Sequence, residues 1–190
     1  VIIGIFAFFQ IQENRANEAA QMAEELQRDY EAWQDAEGDE QSTLGEAIQD
    51  SIDQLVEQYS GTYAASRALM IRAEIDWEQE EWPAAAETYA RVADEYRESH
   101  VAPVALLNAA AAEEAAGNPE PALGHVDTLI ERYADGEPTP ELARAFFARG
   151  RLNEELQNYE IAGDAYDRLV DEHPESSWTN LARNRIIALK

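Results

Sequence analysis

Four short segments recur along this 190-residue chain at a nearly constant interval. LVEQY, VADEY, LIERY and LVDEH end at Tyr59, Tyr96, Tyr133 and His173, so the spacings are 37, 37 and 40 residues. A fixed period of this length marks an array of stacked supersecondary units rather than a single globular core. Other columns keep the same phase. Ala85, Ala122 and Ala162 align, as do Tyr89, Val126 and Tyr166, and Val92, Leu129 and Leu169. In the segments before them Ala68 aligns with Ala105 and Ala145, and Ala73 with Ala110 and Gly150. The three extra residues of the last interval fall in DGEPTPE, residues 135–141, a Gly/Pro-rich stretch where insertion is tolerated. Each unit is predicted to be two antiparallel helices joined by a short turn. The turns are EEW before Pro83, GNPEP around Pro119, and QNY before Glu160. Pro83 and Pro119 suit the first turn of a helix, where no backbone donor is lost. The small-residue columns let paired helices approach closely, and no unit buries its apolar face alone.

Upstream of the repeats, Val1 to Ile11 reads VIIGIFAFFQI, with Gln10 its sole polar residue. Eleven helical residues span roughly 16 Å, about half of a hydrocarbon core. The run does not begin with Met, and it is expected to be the inner half of a transmembrane helix. Val1, Ile2, Ile3, Ile5, Phe6, Phe8 and Phe9 are the candidate membrane anchor. After Ile11 the chain turns acidic, with Arg15 and Arg28 the nearest basic residues, so positive-inside logic places this side away from the cytoplasm. Ala19, Met22, Ala23, Leu26, Tyr30 and Trp33 recur at spacings of three and four, the stripe of one long helix over residues 12–37. AEGDEQST, residues 36–43, is expected to break it, with a new helix capped at Ser42 or Thr43.

The columns resemble the tetratricopeptide repeat. In that pattern a small residue in helix A precedes an aromatic at the turn by nine places, an Ala follows three later, and a bulky residue four after that. Gly150, Tyr159, Ala162, Tyr166 and Pro174 match it in full; Ala73, Trp82, Ala85 and Tyr89 match it without the Pro; Ala110, Ala122 and Val126 match more loosely, with Pro119 in the aromatic place. Ile48, Ile52, Leu55 and Tyr59 look like a second helix paired with the long first one, and residues 177–190 like a single capping helix. The resemblance implies an all-α fold, a right-handed superhelix of antiparallel helix pairs over residues 38–176. The endings DEYRES and DEHPESSWTNLARNRI also resemble repeat proteins of the bacterial envelope. Among these, one N-terminal span followed at once by a periplasmic repeat domain is the layout of the YfgM-like ancillary subunit of the Sec translocon. That layout implies a single-pass inner-membrane protein with its repeats in the periplasm, acting in export, folding or assembly of envelope proteins. The alternative is a fixed structural subunit of a larger envelope complex, with no client groove.

Composition removes several function classes. Acidic residues outnumber basic ones 39 to 14, a net charge of −25, which argues against nucleic acid and against docking on an anionic lipid surface. Of the basic residues only Lys190 is a lysine, so a P-loop cannot be written. Much Asp and Glu with almost no Lys resembles proteins of salt-adapted or GC-rich organisms, and an ordinary acidic helical domain is the plainer account. With no Cys there is no disulfide, thiolate zinc site or cysteine nucleophile. His100, His125 and His173 are scattered and are expected to be structural. Asp35, Glu37, Asp39, Gln41, Thr43 and Glu46 fall at the ligand positions of a calcium loop, but Glu40 stands where that loop needs Gly. No catalytic residue, cofactor or metal is therefore expected, and the chain is expected to be a non-enzymatic binding protein.

Binding is what remains. The resemblance carries the family's inward helix-A positions onto Arg67, Met70, Glu74, Trp77 and Glu78, onto Val104, Leu107, Ala111 and Glu114, and onto Arg144, Phe147, Arg151, Glu154 and Glu155. From these, Arg67, Met70, Glu74, Trp77, Leu107, Arg144, Phe147 and Arg151 are the candidate partner-binding residues. The arginines would hold a carboxylate or an acidic segment by paired hydrogen bonds, with Met70, Trp77 and Phe147 as apolar anchors. Pairing with the chain's own Glu and Asp is the competing account of the same arginines. The partners expected are other proteins, together with the membrane through the N-terminal helix.

Overall fold

The computed structural model describes residues 2–136 and 139–189; the side chains of residues 2–9, 11 and 12 lie outside that description. Every regular element among the described residues is an α-helix. In chain order they are α1 (Ile2–Asp35), α2 (Gly38–Gln58), α3 (Tyr63–Glu78), α4 (Trp82–Glu95), α5 (Val101–Ala115), α6 (Pro119–Tyr133), α7 (Glu141–Glu155), α8 (Tyr159–Glu172) and α9 (Ser177–Ala188). They fall into two compact units, Val1–Ile75 and Asp76–Lys190.

The first unit is built on the stripe read from the sequence. Ala19, Ala23, Leu26, Tyr30 and Trp33 of α1 pack with Ile48, Ile52 and Leu55 of α2 and with Ala64, Ala68 and Ile71 of α3; Met22 and Tyr59 are half-buried against them. The break after α1 is shorter than expected. Only Ala36 and Glu37 are non-helical, and Gly38 begins α2 at φ +62°, a backbone state that costs a side-chain-bearing residue. Ser42 and Thr43 are therefore not caps but lie within α2, where the Thr43 hydroxyl donates to the Asp39 carbonyl at 2.9 Å. The cap sits earlier because Asp39 and Glu40 favour a helix N-terminus by charge alone. Asp39, Gln41, Thr43 and Glu46 thereby ride on a helix, and no calcium loop forms. Gln41 donates to the Trp33 carbonyl at 3.3 Å, which also accepts the Ala36 N–H at 3.3 Å, so the end of α1 is tied to the start of α2.

The second unit repeats one device. α4, α5, α6, α7, α8 and α9 each pack on the next in sequence, and α7 also touches both α5 and α9. The turns inside the hairpins share a geometry. Glu81, Asn118 and Asn158 donate their backbone N–H to the carbonyls of Asp76, Glu113 and Asn153 at 2.7–2.8 Å. The residue before each donor has a left-handed backbone: Glu80 at φ 61°, Gly117 at 81° and Gln157 at 63°. The next helix starts in register, with Pro83 and Pro119 in its first turn as anticipated. The recurring segments prove to be the ends of the second helices, where Tyr96 and His173 donate back to Val92 and Leu169 at 3.0 Å. The column residues Ala85, Ala122, Ala162, Val126, Tyr166, Val92, Leu129 and Leu169 are all buried. At Gly150 the packing is closest: an added Cβ would lie 2.3 Å from the Tyr166 ring.

The apolar N-terminal run falls where the side chains are not described, and Val1 lies outside the described residues altogether. The backbone from Ile2 continues without a break into the first unit's helix. Among the described residues no helix is long and apolar enough to cross a membrane. Residues 137 and 138 of the inserted stretch likewise lie outside the described residues.

Candidate functional site

A groove in the second unit runs between α5, α7 and α9, the first helices of successive pairs. Leu107, Ala110, Ala111 and Glu114 line it from α5, Arg144, Phe147, Ala148, Arg151 and Leu152 from α7, and Trp178 from α9, with Val126 of α6 below. The spacings of three and four along α5 and α7 put these residues on one helical face. The concavity exists because the residues facing across it at positions 110, 111 and 148 are all Ala. It holds about 150 Å³. Phe147 is its aromatic centre, with its ring 5.2 Å from Trp178 and 5.7 Å from Tyr166, both tilted.

The charged groups of the groove are arranged unevenly. Arg151 is ion-paired to Glu114 across the helices. Arg144 is exposed and makes no hydrogen bond or ion pair among the described residues. Glu154, three residues beyond Arg151 on α7 and outside the groove lining, accepts the Tyr166 hydroxyl at 2.6 Å and the Arg185 Nε at 2.9 Å, and Arg185 adds a second bond. The Arg185 guanidinium holds the Glu154 carboxyl below the usual carboxylate range, with the Tyr166 hydroxyl assisting. Burial and the neighbouring carboxylate push the Tyr166 phenol up, so it remains a donor. This triad ties α9 to α7 and so holds Trp178 at the groove wall.

Four of the residues expected to bind partners come together here: Leu107, Arg144, Phe147 and Arg151. Arg67, Met70 and Glu74 belong to the first unit, where Arg67 donates to the Gln27 side chain at 3.1 Å. Trp77 belongs to the second unit, 39% exposed, and does not line this groove. Trp178 is a groove residue that the sequence reading did not single out. Its signal was present: Ala182, fully buried, continues the column Ala68, Ala105 and Ala145 at an interval of 37. α9 is thus the first helix of a further unit as well as a cap, and it extends the same face.

Most arginines serve packing between neighbours. Arg72 pairs with Asp53 at 2.5 Å, Arg149 with Asp127 at 2.8 Å and Arg132 with Asp94 at 2.6 Å, and Arg132 also donates to the Ala93 carbonyl. Each reaches back to a helix of the preceding pair. His125 is half-buried beside a second, open depression of about 380 Å³ between α4, α5 and α6, and burial pushes its imidazole pKa down. His173 packs its ring on Phe146 at 5.7 Å. Among the described residues no cluster of three or more His, Asp or Glu is placed to hold a metal ion.

The sequence matches a family model described as a tetratricopeptide repeat-like domain over residues 1–190. A TPR repeat-containing protein of Treponema pallidum (strain Nichols) is 34% identical over 127 residues, which is 67% of this chain and 51% of that protein. The chain spans about half the length of that curated relative.

Proposed function

The chain belongs to the tetratricopeptide repeat-like domain family, and from that premise we propose that it is a non-enzymatic, membrane-tethered scaffold on the periplasmic face of a bacterial inner membrane. The repeat domain itself is a protein-interaction scaffold. In this chain the face for partners is that of the first helices, and the observation that carries the reading is the groove between α5, α7 and α9. It sets the Phe147 and Trp178 rings beside an arginine that has no partner among the described residues. Half-buried aromatic anchors lining a groove next to an exposed charge are what an interaction surface needs, and what a solvated face lacks.

The tether rests on separate support. The run VIIGIFAFF carries no polar residue, the flank after it is acidic, and α1 continues from it into the first unit. A span so joined to its domain suits work at the machinery that exports, folds or assembles envelope proteins, in the manner of a YfgM-like Sec subunit. Two measurements test the proposal. Membranes washed with alkaline carbonate should retain the protein, and protease added to spheroplasts should digest the repeats. A photo-cross-linker placed at Phe147 in intact cells should capture several substoichiometric partners. One stoichiometric partner would instead identify a fixed complex subunit, and release by carbonate would remove the tether.

A further inference from the structure

We infer that the groove between α5, α7 and α9 receives a segment carrying an aromatic side chain beside a carboxylate, the ring seated against Phe147 and Trp178 and the carboxylate on Arg144. The inference deepens the scaffold reading and rests on it. Size sets the first half. The groove holds about 150 Å³ and is walled by Leu107, alanines and two rings. An apolar cavity of about that volume accepts one benzene ring. Phe147 and Trp178, tilted at 5.2 Å, offer the edges and faces that a third ring stacks on.

Charge sets the second half. Arg151 and Glu114 neutralise each other, which leaves the groove one positive charge in a protein of −25. Arg144 supplies that charge and, among the described residues, no acceptor answers it. Its planar fork takes a carboxylate by two parallel bonds. Arg144 and Phe147 stand three residues apart on α7, so their side chains emerge about 5–6 Å apart. An acidic residue adjacent to an aromatic one in an extended segment spans that distance.

The test uses the full chain and short capped peptides, followed by NMR of the tryptophan indole signals. The probe is acetyl-Ser-Gly-Asp-Phe-Gly-Ser-amide, with Asn for Asp, Ala for Phe and Lys for Asp as comparisons. The Asp-Phe peptide should shift the Trp178 signal saturably, and each of the Asn and Ala replacements should weaken binding about tenfold. Arg144→Glu, at an exposed position, should reverse the preference toward the Lys-Phe peptide. Equal binding of the Asp-Phe and Asn-Phe peptides, or an unchanged preference in Arg144→Glu, overturns the inference. If that happens while the Phe147 cross-linker still captures partners in cells, the scaffold reading stands and only this ligand chemistry falls. If no peptide binds and nothing is captured, both fall.

Discussion

Gly150 shows what a single missing methyl group does here. The sequence placed it in a column with Ala73 and Ala110, and the structure supplies the reason it is Gly: the Tyr166 ring occupies the space of a Cβ. Tyr166 is fully buried and fixed by Glu154, so it has no cheap escape. Gly150→Ala should therefore destabilise the chain by about 1–3 kcal/mol in urea denaturation. Gly163 is the control. It lies within α8 with nothing within 4 Å of its missing Cβ, and Gly163→Ala should stabilise by about 0.5–1 kcal/mol. His125 makes a pH prediction at the same scale. Burial lowers its folded pKa despite Glu113 and Asp94 nearby. Below pH ~6.5 the unfolded chain takes up a proton that the folded chain refuses. Stability should thus fall as pH drops from about 7 toward 5, and His125→Gln should flatten that part of the profile of thermal midpoint against pH.

At the scale of the element, the informative feature is the turn inside each hairpin. Three equivalent positions adopt a left-handed backbone, yet only Gly117 is glycine. Glu80 and Gln157 carry the steric penalty of a Cβ, about 1–2 kcal/mol each. Gln157→Gly should recover part of that penalty, about 1 kcal/mol, while Gly117→Ala should cost a similar amount, both read by chemical denaturation. The hairpins, their phase and the proline starts were legible in the sequence because apolar periodicity and turn chemistry are local. The end of α1 was not legible to the residue. Gly38 and the acidic first turn outweighed the Ser-Thr pair, and a two-residue link replaced the expected eight-residue break.

For the whole chain the governing quantity is a net charge of −25 against a set of arginine bridges. Arg72, Arg132, Arg149, Arg151 and Arg185 each tie one helix to an earlier one. Their side chains are 23–48% exposed, so each bridge contributes about 1 kcal/mol or less. Repulsion among the remaining carboxylates acts over longer distances, and salt screens it within about 8–10 Å. Raising NaCl from 50 mM to 1 M should therefore increase the thermal midpoint by roughly 4–8 °C, as about 2 kcal/mol would in a chain of this length. A decrease would mean that the bridges outweigh the repulsion.

Taken alone, the sequence determined the class of fold, the helix pairs, the buried columns and the face that the first helices present. These follow from spacing, and spacing is written along the chain. The groove was only half legible. Leu107, Arg144, Phe147 and Arg151 share a helical face by periodicity, but which arginine would meet an acid of its own chain depends on residues 37 positions away. Tertiary packing alone joined Arg151 to Glu114, left Arg144 without an answering acid among the described residues, and brought Trp178 onto Phe147. Pairing between helices is a matter of distance in space, and no local pattern encodes it.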